Sequence, residues 1–219
     1  PKFNLIKELL FQSIPASLGM MMISIGIYII LYFISIFGDL ALAGYGSAIR
    51  YEQIFLLPIL GLNAAVLTIA GQNFGAKNYN RVNEVYNKAL LYGCSIMFIA
   101  GIIIYFTAEM AVSLFTTSEE VIKYGKTYLQ ITALMEPVYP IFFISNALLQ
   151  SMKKATHVMF LTMFRMAILP LLTLSYLIFY LKSSYEFVFW GLLTINWIFG
   201  IFLFIFTKEI MKREFLKYS

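Results

Sequence analysis

Glu136 stands near the middle of an otherwise apolar stretch, Thr127–Met152 (TYLQITALMEPVYPIFFISNALLQSM), with Pro137 next to it and Pro140 one turn on. The stretch is long enough to cross a bilayer as a helix. A charged side chain at that depth costs roughly 2.5–3.5 kcal/mol on insertion scales, so it faces a protein or water-filled interior. The two prolines remove backbone donors and bend the chain, freeing carbonyls that only a packed or hydrated interior can satisfy. A carboxyl at such a kink can exchange a proton, or a proton for sodium, and Glu136 is the ion-coupling candidate. The competing reading is structural: a permanently protonated Glu136, or one paired with Arg165, only fastens two helices.

Other polar residues inside apolar stretches point to an aqueous or substrate-facing surface. They are Gln12, Ser13, Ser17 and Ser24, then Gln53, Asn63 and Thr68, then Asn146 and Gln150. Interhelical hydrogen bonding is the plain reading of any one of them. Methionines, including Met20 and Met135, accompany them and suit surfaces that accept varied apolar ligands. Gln53, Asn63, Asn146 and Met20 are the substrate-cavity candidates from this pattern. Pro137, Pro140 and Pro170 are the candidate conformational hinges. The single histidine, His157, lies close to a basic edge and reads as an interface residue. Cys94 is alone, so no disulfide framework exists. The sequence has no phosphate-binding loop, metal cluster or nucleophilic triad, which argues against an enzyme or an ATP-driven pump and predicts no cofactor beyond a coupling ion.

The elements that must position these residues are membrane helices. Hydrophobic residues make up 61% of the 219 and charged residues 12%, far from the roughly 45–50% and 25% of soluble domains. Six stretches of 20 or more residues are delimited by charges: residues 9–38, 53–76, 89–108, 127–152, 155–181 and 187–207. About 20 residues span the hydrocarbon core, so the sequence predicts an all-α membrane protein, a single bundle of six transmembrane helices over residues 1–219. With the N-terminus inside, eleven basic residues (Lys2, Lys7, Lys77, Arg81, Lys88, Lys153, Lys154, Lys208, Lys212, Arg213 and Lys217) fall on the inner side. Four (Arg50, Lys123, Lys126 and Lys182) fall outside. This predicts both termini in the cytoplasm. The net charge of +5 is thus a topology signal and implies no nucleic-acid partner. Residues 78–88 read as a helix lying at the inner interface before the third span. Ser118 is the N-cap candidate ahead of Glu119 and Glu120. The first apolar run is too long for a signal peptide. A start at Pro1 rather than Met predicts a fragment or a processed piece.

Several of these segments carry recognisable motifs. Gly61–Val82 (GLNAAVLTIAGQNFGAKNYNRV) contains Gly71, Gln72, Asn73, Gly75, Ala76 and Arg81 in the pattern GQN-x-GA-x-x-x-x-R-V. Leu42–Glu52, Pro15–Leu18, Leu114–Ile131 and Leu148–Lys154 add shorter matches. In order and spacing the chain resembles the carboxy-terminal six-helix lobe of the multidrug and toxic compound extrusion (MATE) family. The resemblance implies one lobe of a twelve-helix fold in which two lobes, related by an axis along the membrane normal, face each other across a V-shaped cavity. It implies a bacterial plasma-membrane antiporter exporting cationic or amphipathic compounds in exchange for protons or sodium. The partner would be an amino-terminal lobe absent from this chain, or a second copy. One branch of the family carries a glutamate in this lobe's first helix and an aspartate in its fourth. Those positions fall near Ile23 and Tyr139 here, and Tyr139 joins the cavity candidates on that ground. The resemblance is closer to the bacterial branch whose coupling carboxylate lies in the other lobe. Two rivals remain open at this stage. A lipid-linked oligosaccharide flippase of the wider superfamily would be expected to carry several deep arginines where only Arg165 is present. The other is a non-transporting membrane interaction bundle.

Overall fold

The computed structural model describes residues 3–218; Lys2 of the charge count lies outside them. Among the described residues every regular element is helical. Helix α1 runs Phe3–Ser35, α2 Asp39–Gly75 and α3 Tyr79–Ser113. Then come α4 (Glu119–Thr132), a single 3-10 turn (Glu136–Val138) and α5 (Tyr139–Ser151). The next rod is built of α6 (Ala155–Met163), a π segment (Phe164–Ile168), α7 (Leu169–Ser175) and a second π segment (Tyr176–Tyr180). Helix α8 (Tyr185–Tyr218) closes the chain. Five rods are long and apolar enough to cross a membrane, and the pair α4 and α5, bent by 44°, makes a sixth.

The long helices extend past the charges that delimit the apolar stretches. Helix α2 has 37 residues and α3 has 35; at about 1.5 Å per residue each exceeds 50 Å, well beyond a hydrocarbon core of about 30 Å. Two expectations change accordingly. Residues 78–88 do not form a separate interfacial helix; Asn78 caps α3 and residues 79–88 make up its first turns. Buried Val82, Tyr86, Ala89 and Gly93 continue on the same stripe through Met97, Ala100 and Ile104, so the sequence supplies no reason to break. Likewise the second span begins at Asp39 rather than Gln53, which takes Arg50 out of a loop and puts Glu52 inside the helix.

Short turns of matching chemistry end α2 and α5. Lys77 and Lys153 adopt left-handed backbone, φ 60° and 62°. After α2, Asn78 N–H bonds Asn73 O and Lys77 N–H bonds Phe74 O; after α5, Lys154 N–H bonds Leu149 O and Lys153 N–H bonds Gln150 O. These paired bonds define the Schellman motif, so α2 stops just after GQNFG, with Lys77 in the left-handed position and both glycines inside the helix. Ser118 precedes α4, but its side chain makes no cap bond. Its N–H is instead bound to the Thr116 hydroxyl at 3.2 Å.

Helix α2 packs against α3, α4 and α5, while α1 leans on α6 and the first π segment, and α8 on α5, α4 and α7. Two large apolar clusters and two smaller ones result. One, containing Phe33, Tyr45, Ile104, Leu129 and Phe189, lies toward the end away from Lys77 and Lys153. The other, with Val82, Tyr86, Leu148, Met152 and Met211, fills the end that carries those lysines, hereafter the basic end. The polar middle lies between them.

Candidate functional site

The break between α4 and α5 is set by its prolines. Pro137 cannot donate to Ala133 O, nor Pro140 to Glu136 O, so the helix tightens into three-residue turns. Met135 N–H bonds Thr132 O at 2.7 Å, Val138 N–H bonds Met135 O at 2.9 Å, and Tyr139 N–H takes Glu136 O. With Val138 N–H redirected, Leu134 O accepts instead from the Trp197 indole of α8 at 3.0 Å. Ala133 O lies against α3 at Gly101, where an added Cβ would come within 2.5 Å of it. Only a glycine permits that approach, and it brings α3 up to Glu136.

Glu136 is fully buried at this break. Its carboxyl faces that of Glu52 on α2, and both of its oxygens are buried without a hydrogen-bond partner. Glu52, 4% exposed, accepts from the Tyr128 hydroxyl at Oε2 and from the Tyr139 hydroxyl at Oε1, 3.3 Å. The result is a carboxyl pair drawn from two helices and held on one side by tyrosines. Two carboxyls in contact in low dielectric cannot both ionise, so the pair must hold at least one proton unless a cation replaces it.

The pairing of Glu136 with Arg165 that the structural reading allowed does not form. Arg165 Nε and Nη2 both donate to Asn196 Oδ1, at 3.0 and 2.8 Å, and the guanidinium lies over the Phe142 ring, 3.4 Å from its centroid. Arg165 sits in the first π segment, where the helix widens. Pro170, just beyond it, offers no N–H to Met166 O. That carbonyl faces α1 at Gly26, where a Cβ would come within 2.4 Å of it.

A cavity of about 310 Å³ opens beside the pair, and its wall includes Glu52, Gln53, Tyr139, Asn146, Arg165 and Asn196. Three sequence candidates, Gln53, Tyr139 and Asn146, are thus brought together, and Asn146 Oδ1 is buried without a partner. Ile23 and Tyr139, where one branch of the resembled family has carboxylates, both line the same wall. Asn63 does not; its Nδ2 donates to Phe143 O at 2.7 Å and ties α2 to α5. Met20 is 73% exposed on the outside of the bundle. Gly71, Gln72, Asn73, Gly75, Ala76 and Arg81 form the turn at the basic end, away from the cavity; Arg81 pairs with Glu84 at 2.7 Å. Pro137, Pro140 and Pro170 all lie at irregular turns of their helices. Glu52 and Asn196 escape the sequence reading. Glu52 resembles the end of a loop, though it shares a stripe with Ala41, Ala48, Ile59 and Val66; Asn196 is one polar residue in a long apolar helix.

The arrangement is that of a membrane transporter lobe: kinked spans, a buried carboxyl pair and a polar cavity inside a bundle. The MatE family matches residues 15–176, and the chain belongs to that family. It is 27% identical over 151 residues to the probable multidrug resistance protein YpnP of Bacillus subtilis, covering 69% of this chain and 34% of that one. To the multidrug export protein MepA of Staphylococcus aureus it is 28% identical over 152 residues, 69% of this chain and 33% of that one. Its fold is similar to an outward-facing multidrug resistance MATE family transporter of the MOP superfamily, with TM-score 0.92 and 21% identity, over 100% of this chain and 49% of that one. A MOP superfamily transporter from Pyrococcus furiosus gives TM-score 0.92 and 21% identity over 98% and 48%. The chain therefore spans about half of those solved structures, one lobe, and its alignments span about a third of the curated relatives. It is a multi-pass membrane protein of a transporter family, not an enzyme.

Proposed function

We propose that the chain is the carboxy-terminal lobe of a bacterial multidrug antiporter, and that its Glu52–Glu136 pair binds the coupling ion. The contact of those two carboxyls at the α4–α5 break carries the reading. A dry site favours the neutral pair with both protons on; release of one proton changes the charge of the lobe interior by one unit, and a sodium ion taking that proton's place restores it. That change falls at a bent helix whose backbone bonds are already irregular, so it can bias the angle between α4 and α5. The 310 Å³ cavity beside it is lined by apolar, aromatic and amide groups suited to amphipathic compounds. It would be completed by an amino-terminal lobe or a second copy. The lysine and arginine distribution supports both termini in the cytoplasm, with the basic end at the inner face of the plasma membrane.

The test is efflux of a cationic dye from proteoliposomes under an imposed proton or sodium gradient, using the longest natural form of the protein. Wild type is expected to export only with a gradient, and Glu136→Gln and Glu52→Gln are expected to lose gradient-driven efflux while remaining folded. Full efflux in both variants would move coupling to another part of the transporter. No efflux of any dye with either ion would overturn the antiporter reading.

A further inference from the structure

The cavity beside the carboxyl pair carries both signs of charge on one wall. Glu52 and Arg165 line it together, and Tyr139 lines it between them. The Tyr139 hydroxyl donates to Glu52 Oε1 at 3.3 Å. The guanidinium carbon of Arg165 lies 6.0 Å from the centre of the same ring. An acidic and a basic position are thus set one aromatic ring apart. Most of the remaining wall is apolar, with Ile27, Leu56 and Phe143 among its residues.

Arg165 reaches this wall with both charge and donors unspent. A guanidinium has five N–H donors; two of them, on Nε and Nη2, go to the Asn196 amide oxygen. One face of the group is covered by Phe142. Asn196 and Phe142 are neutral, so they hold the guanidinium in place without supplying a counter-charge. Nη1 makes no hydrogen bond among the described residues. With the remaining Nη2 hydrogen it forms the end of the fork, which accepts two carboxylate oxygens side by side. A charge inside a membrane bundle is costly unless it meets an opposite charge, and it marks a substrate or ion pathway. The opposite end of the wall has the complementary property. Once the Glu52–Glu136 pair has released a proton, it carries one negative charge. Such a wall attracts a lone cation at one end and repels it at the other, and treats a lone anion likewise. A ligand with both charges, set about one ring apart, leaves neither end unmatched.

We propose that the cavity takes zwitterionic aromatic amphipaths. The carboxylate of the ligand docks on the Nη1 end of Arg165, and its ammonium docks on the Glu52–Glu136 pair in place of the exchangeable proton. Arg165 is then the residue that selects the acidic end of the substrate. The ammonium end rests on the antiporter reading, in which the pair exchanges an ion; the carboxylate end is read by binding alone, without any gradient.

Isothermal titration of the longest natural form in lipid nanodiscs, with empty nanodiscs as the blank, tests it on three ligands of one shape. These are 4-(aminomethyl)benzoate, a zwitterion, 4-(aminomethyl)benzamide, a cation, and 4-ethylbenzoate, an anion. Wild type is expected to bind the zwitterion roughly tenfold more tightly than either of the others. Asn196→Asp gives Arg165 a permanent counter-charge at the acceptor it already uses, and is expected to bring the zwitterion and the cation to equal affinity. Arg165→Gln is expected to do the same while still binding the cation. Equal affinity for zwitterion and cation on wild type, which needs no variant to fold, overturns the proposal. So does a tenfold preference that survives in folded Asn196→Asp. Binding of none of the three also overturns it, as when a carboxylate from another part of the transporter already caps Arg165. Dye efflux on the same preparation keeps the two readings apart. With gradient-driven efflux intact, any of these results strikes the zwitterion site alone; a tenfold preference without efflux upholds the site and strikes the antiporter reading.

Discussion

Arg165 is held by Asn196 and by no carboxylate among the described residues: both Nε and Nη2 converge on one amide oxygen, at 3.0 and 2.8 Å. Asn196 in turn donates from Nδ2 to Leu192 O at 2.8 Å, so its oxygen is turned toward the first π segment. The guanidinium is thereby fixed over Phe142 as a lone cation on the cavity wall. Replacing Asn196 by Leu removes the acceptor and leaves a charged donor pair without its partner. A loss of about 1–3 kcal/mol is expected, read as a lower melting temperature in detergent. Asn196→Asp keeps the acceptor and is expected to keep the stability. Equal melting for wild type and Asn196→Leu would show that the bond contributes nothing.

The two glutamates act as a unit if the pair binds a single exchangeable ion, and unit behaviour has a kinetic signature. Glu52→Gln and Glu136→Gln are each expected to lower gradient-driven efflux about tenfold or more, and the double variant is expected to lose little beyond either single change. Additive losses would mean that the carboxyls serve separate steps. Tyr139→Phe removes one of the two hydroxyls on Glu52 and leaves Tyr128 in place; a smaller loss of efflux, with folding intact, is expected. That comparison also separates the hydroxyl's role from the cavity wall, because the ring is retained.

How far this site is legible in the sequence depends on what surrounds each residue. Glu136 and Arg165 are charges inside apolar runs and announce themselves; their partners do not. Glu52 follows Arg50 and a stretch with small and polar residues, so charge alone marks it as a helix boundary. Only the stripe of Ala41, Tyr45, Ala48 and Glu52, all buried on one face of α2, reveals it as interior. The same feature extends α3 back through residues 78–88. Opposite charges at similar depth in neighbouring spans allow a pair, yet the angle at a π segment decides where the Arg165 guanidinium points. Such angles arise from the packing of several helices, and no local pattern encodes them. The helix stops, in contrast, are local. The turn after GQNFG and the proline breaks are each made within one turn, and they fall where the sequence places them.

Close approach at the irregular turns gives a further expectation. A Cβ at Gly26 would lie 2.4 Å from Met166 O, and one at Gly101 2.5 Å from Ala133 O, both backbone atoms that cannot step aside as a side chain can. Gly26→Ala and Gly101→Ala are each expected to destabilise by about 1–3 kcal/mol, the usual cost of forced overpacking. Gly46→Ala, where a Cβ meets nothing within 4 Å, is the control and is expected to be neutral or slightly stabilising in its helix. Melting curves of the three variants check this. If Gly101→Ala also shifts the dye-efflux rate while Gly26→Ala does not, the α3 contact matters to the α4–α5 bend as well as to packing.

Lys77 and Lys153 occupy positions where glycine is the usual residue, and they do so with φ near 60°. A side chain in left-handed backbone costs about 1 kcal/mol relative to glycine, so the lysines are kept against a local preference. Lys77→Gly should therefore raise stability by up to about 1 kcal/mol, since the Schellman bonds at Asn73 O and Phe74 O use only backbone atoms and remain. The charge lost is one of those that set topology at the basic end. Removing one of many is expected to leave insertion unchanged, whereas Lys77→Gly with Lys153→Gly and Arg81→Gln is expected to weaken the inside preference of that end. Melting curves on the single variant and accessibility of a cysteine placed in each turn of the triple variant read the two effects separately. A single variant that melts lower than wild type would mean that the Lys77 side chain makes a stabilising contact larger than the backbone strain it carries.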